Sequence, residues 1–265
     1  MPRLQFVTFI VALLSLSSVH AFDTSRIEDP AVRACAERAL PTATARQIQK
    51  VEVIGANGYV RESRRELFWR RSDDNDSRIL VRVLEPLDEQ GVAVLINDDA
   101  DRRTTSYMTY SPKLKRVRRV TGESFFGSIL GTDFTYEDFS YYYRVDDREQ
   151  VERMADAMVE GHPAYLLETT KADDNSNYSV ARFYVDKAIC LPVRSDFIAH
   201  NRALRKQLLV DRDAIEQVDG HWVPFRTTMI DHKLDTRRRF TVEEIDIDPE
   251  LDMNLFEITA LKQGH

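Results

Sequence analysis

The strongest constraint on the fold is a period of two in many short segments that are separated by turn residues. In the segment that ends at Asp186, Ala181, Phe183 and Val185 alternate with Arg182 and Tyr184. Successive side chains of a β-strand point to opposite faces, so this alternation predicts strands with one apolar face and one wet face. Repeated along the chain, the pattern favours a curved antiparallel sheet whose apolar, concave face needs a cover.

Candidate strands recur at the spacing of an antiparallel meander, and aspartate- and glycine-rich turns such as Asp73-Asp74-Asn75-Asp76 and Asp219-Gly220 separate them. They lie at 51–60, 63–71, 78–85, 92–97, 104–110, 163–170, 178–186, 192–200, 203–211, 221–231 and 237–247. A first helix is predicted at 29–40, because Pro30 suits the start of a helix. The interval 122–160 is expected to be helical or irregular, with a short helix from Glu149 to Glu160.

The N-terminus has the three parts of a secretory signal. Arg3 supplies the positive charge, Phe6–Leu16 is the apolar stretch, and Val19-His20-Ala21 fits the cleavage site. The apolar stretch is short for a membrane span. We therefore predict cleavage after Ala21, export to the periplasm, and one domain over residues 22–265.

Composition argues against two classes of partner. Of 265 residues, 44 are Asp or Glu and 37 are Lys or Arg, which gives a formal net charge of −7. A chain with this balance is a poor general binder of nucleic acid or of anionic lipid.

The chain has two cysteines, Cys35 and Cys190. An even count in an exported protein favours a disulfide, which here would join the first helix to a turn between two late strands. The alternative is a pair of separate buried thiols.

A basic run is followed by an acidic and aromatic one. Arg116, Arg118 and Arg119 come first, and Asp133, Glu137 and Asp138 follow. Gly127 and Gly131 lie between them and would let the backbone bend. The two halves could clamp each other through internal ion pairs, or the basic run could dock an acidic partner or a lipid headgroup.

These residues also carry a resemblance. The pattern Tyr-x-Pro-x-x-Lys-Arg-Val-Arg-Arg, which begins at Tyr110 and Pro112, is followed by Gly-Thr-Asp-Phe-Thr-Tyr-Glu-Asp-Phe, which contains Tyr136. Together they resemble the LolA-like family of outer membrane lipoprotein-sorting proteins, in the branch found alongside RND/MMPL-type exporters. The stretches 184–194 and His221-Trp222-Val223-Pro224 are similar to that family too. The segment from Gly127 to Asp133 is longer than the usual family element.

The resemblance implies a mainly β (α+β) fold, an unclosed half-barrel with short helices as a lid. It implies a carrier that binds lipid or lipoprotein acyl chains and passes them toward the outer membrane or an inner-membrane transporter. Phe183, Val185, Val193 and Phe197 alternate on neighbouring predicted strands and are the candidate acyl-chain contacts. Trp222 could line the same cavity or pack as ordinary core.

Local motifs for catalysis or metal binding are absent from the sequence. The histidines form no His-Glu-x-x-His pattern, and Gly122-Glu123-Ser124-Phe125-Phe126 lacks the second glycine of a nucleophile elbow. We therefore expect no enzymatic activity, no cofactor and no metal. The alternatives are a periplasmic module that senses lipids or lipoproteins and, less favoured, a hydrolase assembled from distant residues.

Overall fold

A computed structural model describes residues 29–38, 44–71, 76–99, 104–132, 134–140, 150–170 and 176–262 of the chain. The predicted signal peptide, Asp133 and the stretch 171–175 lie outside these ranges. Within them, no helix is both long and apolar enough to cross a membrane.

Strands dominate the described chain. The first six are β1 Thr44–Ile54, β2 Val60–Arg71, β3 Ser77–Glu85, β4 Ala93–Asp99, β5 Thr104–Ser111 and β6 Arg116–Arg119. The next five are β7 Gln150–Val159, β8 His162–Thr170, β9 Val180–Asp186, β10 Pro192–Ile198 and β11 Leu204–Val210. The last four are β12 Ile215–Val218, β13 His221–Pro224, β14 Arg226–Asp231 and β15 Thr236–Ile247.

Thirteen strands form one antiparallel sheet in the order β6-β5-β4-β3-β2-β1-β15-β14-β11-β10-β9-β8-β7. Its edges, β6 and β7, are not paired with each other, so the sheet is not closed into a barrel. The strands β12 and β13 form a separate hairpin between β11 and β14. The predicted half-barrel architecture is confirmed.

One face of the sheet is concave, and side chains from distant strands meet on it. Tyr107 on β5, Leu67 on β2, Leu167 on β8 and Phe197 on β10 belong to one buried apolar cluster. Strands so far apart in a sheet can share a cluster only if the sheet curves around it. The opposite face carries smaller clusters, one of which packs under the short 3-10 helices Met253–Phe256 and Ala260–Lys262.

Within the described ranges two α-helices accompany the sheet, α1 Pro30–Arg38 and α2 Tyr136–Ser140. Asp29 caps the N-terminus of α1, since its carboxylate Oδ1 accepts the backbone N–H of Ala31 at 2.9 Å. Val32 and Cys35 of α1 are buried in the concave cluster. Cys35 is bonded to Cys190, which confirms the predicted disulfide and fixes α1 to the turn between β9 and β10.

Three predicted elements are corrected. The predicted helix from Glu149 to Glu160 is wrong: Gln150–Val159 form the strand β7, which pairs with β8 across an irregularity between Met154 and Ala157, and Glu149 lies outside the described residues. The segment 221–231 is two strands in two different sheets, and the first predicted strand continues too far, since residues 55–59 are a turn.

Candidate functional site

The concave face is covered by the lid, which we define as residues 120–132 and 134–140. The lid contains the 3-10 helix Gly122–Phe126 and the helix α2. Its apolar side chains Ile129, Phe134, Tyr136 and Phe139 are buried in the concave cluster. A sheet face that would otherwise be open to water is thus covered by the lid and by α1 rather than by a second sheet.

Aromatic rings hold the lid against the floor of the sheet. The ring of Tyr107 on β5 lies edge-on to those of Tyr136 and Phe125, with centroids 5.2 and 5.9 Å apart. Phe134 meets Phe240 of β15 at 6.4 Å. Burial raises the pKa of Tyr136 to about 12, so its hydroxyl stays protonated at any physiological pH.

Two arginines of β2 hold one side of the lid by its backbone. The Nη2 of Arg65 donates to the carbonyl of Leu130 at 2.9 Å, and the Nη2 of Arg61 donates to that of Gly131 at 3.3 Å. Gly131 has φ +70°, a conformation that favours glycine, and a Cβ there would lie 2.6 Å from the Arg61 Nη2, so a larger residue would have to displace the Arg61 side chain from the lid. Arg65 is only 1% exposed, and burial lowers its pKa to about 10, which still leaves it charged at neutral pH.

The carboxylate of Asp138 holds the other side of the lid. Asp138 is fully buried, and its Oδ2 accepts a hydrogen bond from the ammonium of Lys206 on β11 at 2.6 Å. The same oxygen accepts the N–H of Thr135 at 2.7 Å, while the Thr135 hydroxyl accepts the N–H of Asp138. This reciprocal pair is a capping box that starts α2. The other oxygen, Oδ1, accepts from the Tyr178 hydroxyl, so the start of α2 is joined directly to the sheet.

The neighbouring carboxylate, Glu137, is also buried and ties α2 to the chain that leads into β9. Its Oε1 accepts the Ser176 hydroxyl at 2.6 Å and the Asn177 N–H at 2.8 Å, and its Oε2 accepts the Asn177 amide at 2.6 Å. We call the contacts of Glu137 and Asp138 the carboxylate anchor. Burial, aided by Asp138, raises the pKa of Tyr178, so the hydroxyl remains a donor.

The predicted clamp between the basic run and these carboxylates is wrong for the described residues. Arg116, Arg118 and Arg119 are exposed and form no ion pair within the described part of the chain. The reason is distance along the sheet: β6 is one edge, whereas α2 is bound to β9 and β11, beyond the sheet's middle. Asp133 lies outside the described residues.

The other residues of the predicted signature are dispersed. Tyr110 packs on the outer face of the sheet, and Pro112 lies in the turn between β5 and β6. Gly127 has extended backbone with φ −79°, so it does not supply the left-handed conformation that Gly131 does. Tyr136 is part of the lid.

The candidate acyl-chain contacts divide between the two faces. Phe183, Val185 and Phe197 lie together in the concave cluster, beneath the lid. Val193 and Trp222 instead belong to a cluster that also contains Tyr184, which points to the opposite face from Phe183 and Val185. The pairing of β10 with β9 is irregular between Pro192 and Arg194, and this bulge turns Val193 away from the cavity.

A group of buried polar side chains was missed by the sequence analysis. Gln47 and Gln49 of β1 and Ser63 and Arg65 of β2 are each at most 5% exposed. They lie on the concave face, because they share it with Ala45, Val51 and Leu67 in the paired registers. Gln49 donates to Gln47 at 2.8 Å and Arg65 donates to Ser63 at 3.2 Å. The interruption of an apolar alternation by Gln47 and Gln49 was the available signal.

An unclosed antiparallel sheet with a helical lid over its concave face defines the LolA-type half-barrel, and comparison with solved structures agrees. An outer membrane lipoprotein-sorting protein domain from Vibrio parahaemolyticus superposes with a TM-score of 0.76 at 20% identity, covering 88% of this chain and 97% of that one. A DUF1329 family protein from Desulfovibrio piger gives 0.77 at 20% identity, covering 87% and 96%. A LolA superfamily protein from Nitrosomonas europaea gives 0.64 at 15% identity, covering 87% and 97%.

A protein-family model described as "Uncharacterized protein" matches residues 75–263, and the chain belongs to that family. No curated protein matches the sequence at a significant level. The fold of the chain is similar to that of the three solved structures.

Proposed function

We propose that this chain is an exported carrier that binds the acyl chains of lipids or lipoproteins on its concave face and passes them on. The main support for the proposal is the way in which the lid covers the concave face. A largely apolar surface is covered by a lid that ring contacts and a small set of polar contacts join to the sheet, so the surface can be uncovered without unpairing any strand.

The energetics support reversible binding. Acyl carbons that replace the lid's aromatic side chains on the concave face would contribute about 0.8 kcal/mol per buried methylene. Opening the lid exposes the side chains it now buries, so the net affinity is the difference between two similar terms. A carrier needs this balance, because it must both hold and release its cargo.

The compartment and the partners complete the proposal. The predicted signal peptide and the disulfide both fit a periplasmic protein. The donor or acceptor would be an inner-membrane transporter of the RND/MMPL type or an outer-membrane acceptor, as the family resemblance implies. The chemistry is binding alone, without a cofactor or a covalent step.

The test is direct binding of a fluorescent fatty-acyl probe, together with mass spectrometry of organic extracts from natively purified protein. Phe183→Glu places a charge on the concave face and should abolish probe binding, because a buried, unpaired carboxylate repels an acyl chain. Phe183→Leu and the outward-facing Arg182→Glu should bind nearly as the wild type does. A wild-type chain that binds no probe and carries no lipid would refute the proposal.

A further inference from the structure

One end of the half-barrel carries four hairpin turns, which we call the rim. They are residues 232–235 between β14 and β15, 55–59 between β1 and β2, 86–92 between β3 and β4, and 112–115 between β5 and β6. The strands are neighbours in the order β6-β5-β4-β3-β2-β1-β15-β14 and all pairs are antiparallel. Alternate connections of such a sheet lie at the same end, so these four turns form one line.

Exposed apolar side chains concentrate at this rim. Tyr59 is 68% exposed, Leu87 84%, Leu114 61% and Leu234 50%, one on each turn, and Val60 next to Tyr59 is 43% exposed. These are five of the eight large apolar side chains that the described residues expose. The other three, Met158, Met253 and Ile258, lie on β7 and in the C-terminal segment.

The opposite end of the same strands has a different composition. The connections from β2 to β3 and from β4 to β5 read Ser72-Asp73-Asp74-Asn75 and Ala100-Asp101-Arg102-Arg103. These two sequences are polar, whereas each of the four rim turns carries a large exposed apolar side chain.

The rim is also the end at which the lid is held. Arg61, which donates to Gly131 of the lid, is the second residue of β2 after the turn that contains Tyr59. The carboxylate anchor joins α2 to Ser176, Asn177 and Tyr178, which precede β9 at the same end of the sheet. A surface that the rim touches is thus next to the place where the concave face would open.

Positive charge concentrates at one turn of the rim, 112–115. Lys113 and Lys115 flank Leu114 there, Arg116 follows them, and all three cations are exposed. The other turns carry Lys233 but also the carboxylates Asp88, Glu89 and Asp235, and Glu89 is paired with Arg61. The net charge of −7 opposes adsorption by the rest of the molecule, but charges more than about 8 Å away are largely screened, so the cations at 112–116 favour an anionic surface where that turn makes contact.

The spacing of the apolar tips distinguishes a membrane from a protein partner. Successive turns of a meander are two strands apart, or roughly 10 Å, with polar residues between their tips. Side chains so separated do not form the continuous dry core of a protein interface. Each can instead enter the boundary between headgroups and acyl chains alone, while neighbouring lysines meet anionic headgroups.

We propose that the rim, through Tyr59, Leu87, Leu114 and Leu234 with their adjacent lysines, docks the protein onto an anionic lipid bilayer with its lid against the membrane. This surface goes beyond the carrier function, because the concave face could bind an acyl chain in solution without it. Docking would place the opening of the lid where a lipid leaves or enters the bilayer.

Flotation of the exported chain with vesicles tests the proposal. The wild type should float with vesicles of equal parts phosphatidylglycerol and phosphatidylcholine, and more weakly with phosphatidylcholine alone. Leu87→Ser with Leu114→Ser should reduce binding at least about tenfold, because two inserted side chains are lost. Lys113→Gln with Lys115→Gln should reduce it by about fivefold per lysine on the anionic vesicles only.

Met158→Ser is the matched control, since Met158 is 64% exposed but lies near the opposite end. It should float as the wild type does. The proposal is overturned if the wild type floats with neither vesicle, if the Leu87 and Leu114 double variant floats unchanged, or if Met158→Ser loses as much.

Acyl-probe binding in solution, measured on the same variants, separates this inference from the carrier function. Rim variants should bind the probe as the wild type does, because none of the substituted residues is in the concave cluster. If the protein floats with vesicles but never binds the probe, membrane docking by the rim is supported and the carrier function is refuted. If the protein binds the probe but floats with neither vesicle, the carrier function is supported and docking onto a lipid bilayer is refuted. The second outcome is also the one expected if the rim binds a membrane protein instead of lipid.

Discussion

Replacing Lys206 by Met should make the concave face easier to reach. Lys206 is 4% exposed and Asp138 is fully buried, so the substitution leaves a carboxylate without its cation inside the closed protein. Breaking a buried ion pair in this way costs about 3–5 kcal/mol. Asp138 belongs to the lid and can return to water when the lid opens, so the cost falls on the closed state.

The size of the effect follows from the equilibrium between closed and open lids. When binding requires the open state, the apparent dissociation constant is the intrinsic one divided by the open fraction. A closed state destabilised by 3–5 kcal/mol therefore tightens apparent binding by at most about 10²- to 4 × 10³-fold, and less once the open state predominates. Titration with a fluorescent fatty-acyl probe measures the affinity, and hydrogen exchange of amides in residues 134–140 measures the opening.

Two further variants make the experiment decisive. Arg182→Met removes an ion pair with Glu168 on the outer face, where Arg182 is 40% exposed, and should leave probe affinity unchanged. Adding Asp138→Asn to Lys206→Met removes the stranded charge and should recover much of the closed state. The reasoning is refuted if Lys206→Met lowers the melting temperature of the whole sheet while probe affinity and lid exchange stay as in the wild type.

Three other predictions concern the disulfide, a buried histidine and the N-terminus. Replacing Cys35 and Cys190 by Ser releases a loop with a sequence separation of 155, which the chain-entropy model puts at about 5 kcal/mol; an unchanged urea midpoint would contradict it. Burial lowers the pKa of His221 from 6.5, so the unfolded chain takes up the proton first and stability should fall as the pH drops through about 6.5. His221→Gln should reduce the difference in melting temperature between about pH 7.5 and 5.5, whereas an equal difference in both proteins would exclude His221 as a cause. N-terminal sequencing of periplasmic protein should begin at Phe22, and a full-length chain in the membrane pellet would disprove cleavage after Ala21.

The strands could be predicted from sequence wherever apolar and polar residues alternated regularly. The prediction failed where a bulge interrupted that alternation. In β7, Val151, Met154 and Met158 have the spacing of a helical stripe. An irregularity between Met154 and Ala157 shifts the face of the strand and produces that spacing without a helix. The same effect in β10 assigned Val193 to the wrong face.

The lid contacts could not be predicted because their partners are distant in sequence. Asp138 and Lys206 are 68 positions apart, and nothing in the local pattern of either residue indicates the other. The sequence did present Arg116, Arg118 and Arg119 as nearer partners of opposite charge, yet the topology places them at a sheet edge. Charge patterns show which residues need partners, whereas the fold decides which partners are within reach.

The sheet has two edge strands, β6 and β7, and among the described residues no strand pairs with the outer side of either. Such edges are templates for pairing with another molecule, which would join half-barrels into larger aggregates. The strand β6 is only four residues long, and three of them are exposed arginines. The other edge, β7, is bent by its irregularity at Met154. The arginines of β6 would therefore oppose, by mutual repulsion, the pairing of this edge with the same edge of a second copy.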